Sequence, residues 1–197
     1  MAREIGLSQL TLFELEDAMN IVYGALISVP WIQSVEVSKT IAEISAYGDN
    51  VAEFSDSKEI GAELTMEVSS DMPPKLEAQI VGKKYINGAL VSSTDDAKKS
   101  YGVAWETIMN DGKRRRYMYF NNTFSKNEQS NETMSDSITA QTYSLTAKSI
   151  PLPSTKETMM VMDEREIEEL EAANDPKAVE IRKVWDEWFT KAPRPVQ

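Results

Sequence analysis

From Ile60 to Ser69 the chain alternates without a break. Ile60, Ala62, Leu64, Met66 and Val68 fall on one side, and Gly61, Glu63, Thr65, Glu67 and Ser69 on the other. Successive side chains leave a strand on opposite faces, so this period of two reads as a strand with one dry face and one wet face. Two other stretches read the same way. "SITAQTYSLTAKSI" sets Tyr143, Leu145 and Ala147 against Thr142, Ser144, Thr146 and Lys148, in residue types that favour strands. "VEVSKTIAEISAY" alternates through Val35 and Val37, then changes phase toward Ile44 and Ala46. A bulge or bend between Ile41 and Glu43 is the expected cause.

The clearest hairpin joins "YGVAWETIM" to "RRRYMYFNNTF" across Asp111-Gly112, a favoured two-residue turn. That turn predicts Asn110 opposite Lys113, Trp105 opposite Met118 and Val103 opposite Phe120, with an apolar root. Thr107 then faces Arg116 and Met109 faces Arg114, so a cationic tip is expected to project from the core.

Helices are expected in two places. In "SSDMPPKLEAQIVGKKYING" Pro73 or Pro74 suits a first turn, Leu76, Ile80 and Val81 have helical spacing, and Gly82 or Gly88 ends the segment. Toward the carboxyl end, Asp163 with Glu166 resembles a capping box, and Asp175-Pro176 suits an N-cap and first position. Ile181, Val184, Trp185, Trp188 and Phe189 follow as one apolar face, read first as packing on the chain's own domain or on a neighbour. "SKNEQSNETMSDS" is expected to be a mobile loop, from Lys126 to Asp136. The fold class expected is mainly β, an antiparallel sandwich or barrel-like domain over 1–155 with one flanking short helix. A helical carboxyl extension covers 156–197.

Residue inventory narrows the chemistry. The chain has no cysteine and no histidine. Disulfides, thiolate nucleophiles, catalytic triads and the usual zinc and haem ligands are therefore excluded. No cofactor is expected and no metal site: Glu164, Glu168 and Glu171 would spread along a helix rather than converge. No apolar run is long enough to span a bilayer, and the amino terminus lacks a signal-peptide pattern. A carboxylate-dependent hydrolase stays open in a chain with 32 acids, but no pair stands out.

Charge supplies the functional candidates. A formal net charge of −11 opposes ordinary duplex binding, which needs cations to neutralise phosphates. Against that background "KRRR", Lys113, Arg114, Arg115 and Arg116, is isolated. It is too short for a nucleic-acid surface and reads better as a basic tip docking on an acidic face of another copy. The wet strand faces, Glu63, Thr65, Glu67 and Ser69 above all, carry acids and hydroxyls. Closed into a ring of subunits they would line a wide negative channel; a plain solvent-facing sheet is the alternative.

The order of these pieces resembles the major tail protein, or tail tube protein, of long-tailed phages with non-contractile tails. "IGLSQLTLFEL", "SVEVSKTIAEISAYGDNVAEF", "EIGAELTMEVSSDMPPKLEAQIVGKKYINGALVSSTDDA", the hairpin "YGVAWETIMNDGKRRRYMYFNNTFS" and "TAQTYSLTAKSIP" succeed one another over residues 5–152. The resemblance implies a β-sandwich with a flanking helix, six copies in a ring, and rings stacked into a virion tail tube assembled in the host cytoplasm. It also implies a tape measure protein in the lumen, other tail proteins at the tube ends, and DNA in transit without sequence-specific binding. Arg114 to Arg116 would then be inter-ring contacts, and no membrane binding is expected. A contractile-tail or secretion-type tube shares the architecture, and a monomeric binding β-domain is the contrasting class.

Overall fold

The computed structural model describes residues 3–48, 51–69, 72–126 and 143–196, with the backbone alone for 44–48, 51–55 and 126. In chain order these residues form β1 (Glu4–Asp17), β2 (Val22–Val29), β3 (Ile32–Gly48), β4 (Val51–Val68) and α1 (Pro74–Val81). β5 (Lys84–Ile86), β6 (Ala89–Val91), β7 (Ser100–Met109), β8 (Arg114–Lys126) and β9 (Tyr143–Ser149) follow. β10 (Met159–Asp163), α2 (Glu164–Ala172) and α3 (Ala178–Asp186) complete the set. The fold is mainly antiparallel β, as the alternation predicts. Eight strands make one sheet in the order β2-β1-β7-β8-β9-β4-β3, with β10 beside the first half of β8.

The sheet curls over on itself. Leu10, Leu12, Ile27 and Val103 from one half share a core with Leu64, Met66, Leu145 and Ala147 from the other. Ile80 and Val81 bring α1 into that core. The Tyr101 hydroxyl fixes the helix by donating to the Gln79 carbonyl at 2.6 Å, and burial pushes its pKa up to about 12. Pro74 opens α1 and Gly82, at φ 79°, closes it. Asn87 and Gly88 both have positive φ and turn the separate β5–β6 hairpin, as a primed two-residue turn requires.

The alternation in β4 holds from Ala62 to Val68, whose apolar members are at most 3% exposed. Ile60 departs from it and is 47% exposed. It is the extra residue of a bulge in β4: Thr40 pairs with Gly61 and Ile41 with Glu59, so Ile60 lies opposite no residue of β3. The irregularity expected near Ile41 to Glu43 is a register shift between Thr40 and Ile41, and its extra residue lies on β4, not β3.

From Val103 to Ile108 the β7–β8 register differs from expectation by one residue, and a shift between Tyr101 and Val103 restores it at the root. Met109 N–H donates to the Lys113 carbonyl at 2.8 Å, and Gly112 N–H donates to the Met109 carbonyl at 3.0 Å. The loop is thus three residues, 110–112, with Gly112 at φ 82° taking the left-handed position. A slip of one exchanges the faces. Trp105 pairs with Tyr117 and Val103 with Tyr119, while Met118 and Phe120 turn to the opposite side. Trp105 lies nearly parallel to both tyrosines, at 5.1 and 5.6 Å.

That opposite side is a second core. Phe13, Ala104, Met118, Phe120 and Leu152 meet Trp188, with Phe189 and Val184 at the margin. The apolar stripe near the carboxyl end therefore packs on the chain's own sheet. Trp188 and Phe189 lie just past α3, in the turns that follow it. The stretch expected to be a helical extension opens with a strand, β10, because β9 leaves the first half of β8 unpaired. Asp163 caps α2 as expected, accepting the Arg165 N–H at 3.0 Å. α3 begins after the expected Asp175-Pro176 start, although Asp175 still accepts the Lys177 N–H at 2.8 Å. The loop expected to be mobile lies, from residue 127, outside the described residues.

Candidate assembly surfaces

The outer face of β3, β4, β9 and the second half of β8 is a continuous polar wall. Its rows run straight across the strands. Glu36 lies beside Thr65, Thr146 and Ser125 in turn; Ser38 lies beside Glu63, Lys148 and Thr123; Ser34 lies beside Glu67 and Ser144. Glu36, Glu63, Glu67 and Lys148 are exposed, so carboxylates outnumber cations there. The structure brings the predicted Glu63, Thr65 and Glu67 together on this wall. Ser69 ends it, with its N–H donating to the Trp31 carbonyl at 3.0 Å. Ser34, Glu36 and Ser38 were missed by the sequence reading, although they interleave with the recognised Val35 and Val37. Ser34 reinforces the wall by donating to Glu67 at 3.2 Å.

The predicted cationic tip does not project. It is held by acids of the same chain. Arg116 donates to Glu106 at 2.7 Å and to the Trp185 carbonyl, and its guanidinium lies 4.1 Å over the Trp185 ring. Arg114 reaches the same Glu106 at 3.2 Å, and Ser8 donates to it as well. Arg115 donates to Asp163 at 2.8 Å and to Glu4 at 3.1 Å, and Lys113 bonds Glu168. Arg165 shares Asp163 with Arg115, and these two guanidinium groups hold its carboxyl far below the ordinary carboxylate range. The reason is the register slip together with β10. Arg115 lies opposite Asp163 and Arg116 opposite Glu106, so charge pairs form across both neighbours of β8. Arg114 stays the most open of the three arginines, its side chain 48% exposed against 11% for Arg116.

A third surface extends past the sheet. β3 and β4 stay paired from Ile32 and Val68 out to Gly48 and Val51. Among the described residues no third strand flanks them beyond Ala62, where β9 stops. Eight residues, Ile41–Gly48, thus form one side of a free two-stranded arm, about 26 Å long at the usual rise per residue. At its base a Cβ on Gly61 would sit 2.5 Å from the Ser149 carbonyl oxygen, so the close crossing of β9 requires glycine there.

No known protein family matches the sequence, and no curated protein matches it either. Among solved structures, a chain in the cryo-EM structure of the anti-feeding prophage baseplate, 6-fold symmetrised, is similar at 12% identity. The match covers 81% of this chain and 95% of that one, with a TM-score of 0.37. A likeness of that size fixes neither family nor role.

Proposed function

We propose that this protein is a virion structural protein, a tail tube subunit whose copies close into hexameric rings and stack into a hollow tube for DNA passage. The observation that carries this reading is the polar wall. Its rows hold hydroxyls, three carboxylates and one lysine, and no apolar side chain, across four strands. On β1, β7 and the first half of β8 the outer face is buried under the carboxyl segment. A surface that repels phosphate and offers few cations suits a channel through which DNA slides without adhering. The free arm supports the same reading, since a two-stranded ribbon is marginal alone and gains stability by lying on a neighbour.

Within this reading Lys113 and Arg114 face the next ring, while Arg115 and Arg116 hold in place the strand that presents them. A tape measure protein and end-capping tail proteins are the expected partners. Negative-stain electron microscopy of the purified protein at low and high concentration tests the reading. Rings or tubes with a central hole support it. Uniform single subunits at high concentration would favour a monomeric binding domain instead.

A further inference from the structure

Asn87-Gly88 is the one Asn-Gly pair in the chain, and it forms the turn of the β5–β6 hairpin. An asparagine before a glycine carries an electrophile and a nucleophile side by side. Its carboxamide carbon lies within five-membered-ring reach of the next backbone nitrogen, and glycine leaves that nitrogen unhindered and its backbone free to turn. What the fold does with the two groups decides whether they meet. Here it restrains neither. Residues 84–89 are all exposed. Among the described residues the Gly88 N–H donates to no acceptor, and the Asn87 carboxamide has no hydrogen bond. A Cβ built on Gly88 would meet no atom within 4 Å, so the space around the turn is open. The hairpin has three residues a side and joins no other strand. A ribbon that short is marginal, so it opens locally and lets the turn leave its primed geometry.

The chain's Asp-Gly turn, Asp111-Gly112, supplies the contrast, because the fold holds both of its groups. The Gly112 N–H donates to the Met109 carbonyl at 3.0 Å. One Asp111 carboxylate oxygen accepts the Lys113 N–H at 3.1 Å, and the other lies 3.6 Å from the Arg165 guanidinium. Asn110, just before it, accepts the Arg3 N–H on its side-chain oxygen at 3.1 Å.

We propose that Asn87 is a site of spontaneous covalent modification, with water as the only co-reactant. The Gly88 nitrogen loses its proton to base and attacks Cγ of Asn87. The new C–N bond closes a succinimide, the Cγ–Nδ2 bond breaks, and Nδ2 takes up a proton and leaves as ammonia. Water then opens the ring at one of its two carbonyls. Cleavage at Cγ leaves aspartate at position 87, and cleavage at the backbone carbonyl leaves isoaspartate, with a main chain one carbon longer. Nothing is oxidised or reduced, and either product exchanges a neutral amide for a carboxylate. The lengthened main chain no longer fits the two-residue turn that pairs Ile86 with Ala89, so the hairpin loosens wherever isoaspartate forms. This site is independent of the tube reading.

Trypsin separates the two turns, into peptides 85–98 and 100–113, and Asn87 is the one side-chain amide in the first. The full chain is held in mildly alkaline buffer, folded in one sample and unfolded in urea in another, then digested and weighed. In the folded sample, peptide 85–98 is expected to gain one dalton, in proportion to time and to hydroxide, and to split into two products. Isoaspartate, labelled with an isoaspartyl methyltransferase, is expected to accumulate in that peptide and not in 100–113. In urea both peptides are expected to acquire it. Asn87→Gln, at an exposed site, is expected to lose the signal from 85–98 entirely. A folded sample in which 85–98 keeps its mass while the unfolded sample converts overturns the proposal. Equal isoaspartate in both peptides of the folded sample overturns the part assigned to the fold.

Discussion

Glu106 is 1% exposed, on a strand face covered by the carboxyl segment, and it is tolerable there because two arginines and a serine bond it. Arg116 is the partner that matters most, since it also stacks on Trp185 and bonds its carbonyl. Arg116→Ala is expected to cost about 2–4 kcal/mol, because the buried carboxylate then keeps the Ser8 hydroxyl and, as its one cation, the more exposed Arg114. Arg114→Ala should cost under about 1 kcal/mol. Urea midpoints at neutral pH check both. A reversal at Arg116 would therefore report on folding before it reported on ring contacts, so the docking test belongs at Arg114 and Lys113. Asp163 makes a second prediction. Its folded pKa is depressed below the ordinary 3.8, first by Arg165 and then by Arg115. The stability it contributes is complete above the unfolded carboxylate range and drains away as the pH falls below about 4. Asp163→Asn keeps a good helix cap but removes that dependence, so the variant should be less stable at neutral pH and lose less below pH 4. Thermal melts across that range read it directly.

At the scale of elements, what the sequence showed clearly was local pattern. The alternation from Ala62 to Val68, the shift near Ile41, the start of α1 at Pro74 and the cap at Asp163 all depend on neighbours within a few residues. The β7–β8 register was not legible, because Asp111-Gly112 fits both a two-residue turn and a three-residue loop with glycine in the left-handed position. The choice exchanged the faces of β8 from Arg114 to Tyr119, and the shift between Tyr101 and Val103 restores the expected register beyond it. β10 was hidden for a related reason: five residues next to a strong helix start reveal no partner until β9 is seen to stop short. The second core that results should be sensitive to its one fully buried tryptophan. Trp188→Ala is expected to cost about 3–5 kcal/mol and expose Phe120 and Met118, seen as an earlier denaturation midpoint with new dye binding. The arm belongs to this scale too. Amides beyond Thr40 should exchange quickly in the free subunit and become protected on assembly, which hydrogen exchange on both forms resolves.

For the whole molecule, the division of its outer surface decides the functional reading, and only half of it could be read in advance. Glu63, Thr65 and Glu67 announced a wet face; that the opposite half is roofed by the carboxyl segment depends on contacts across 60 residues and more, such as Arg116 to Trp185. The roof leaves the polar wall as the face that the proposed tube would turn to its lumen. It also takes the cations out of play, since the basic run is matched by Glu4, Glu106, Asp163 and Glu168 and the exposed wall stays acidic. In the proposed tube, a sign reversal on the wall should therefore change how DNA is held without changing how the tube is built. Glu63→Lys with Glu67→Lys alters two exposed side chains, at a cost of under about 1 kcal/mol to folding. Tubes of this variant are expected to form normally and to retain linear DNA at low salt, releasing it steeply as salt rises, because new phosphate contacts displace counterions. Wild-type tubes should release it at every salt concentration. Co-sedimentation of labelled DNA with purified tubes measures both, and equal retention by variant and wild type would remove this wall from the lumen.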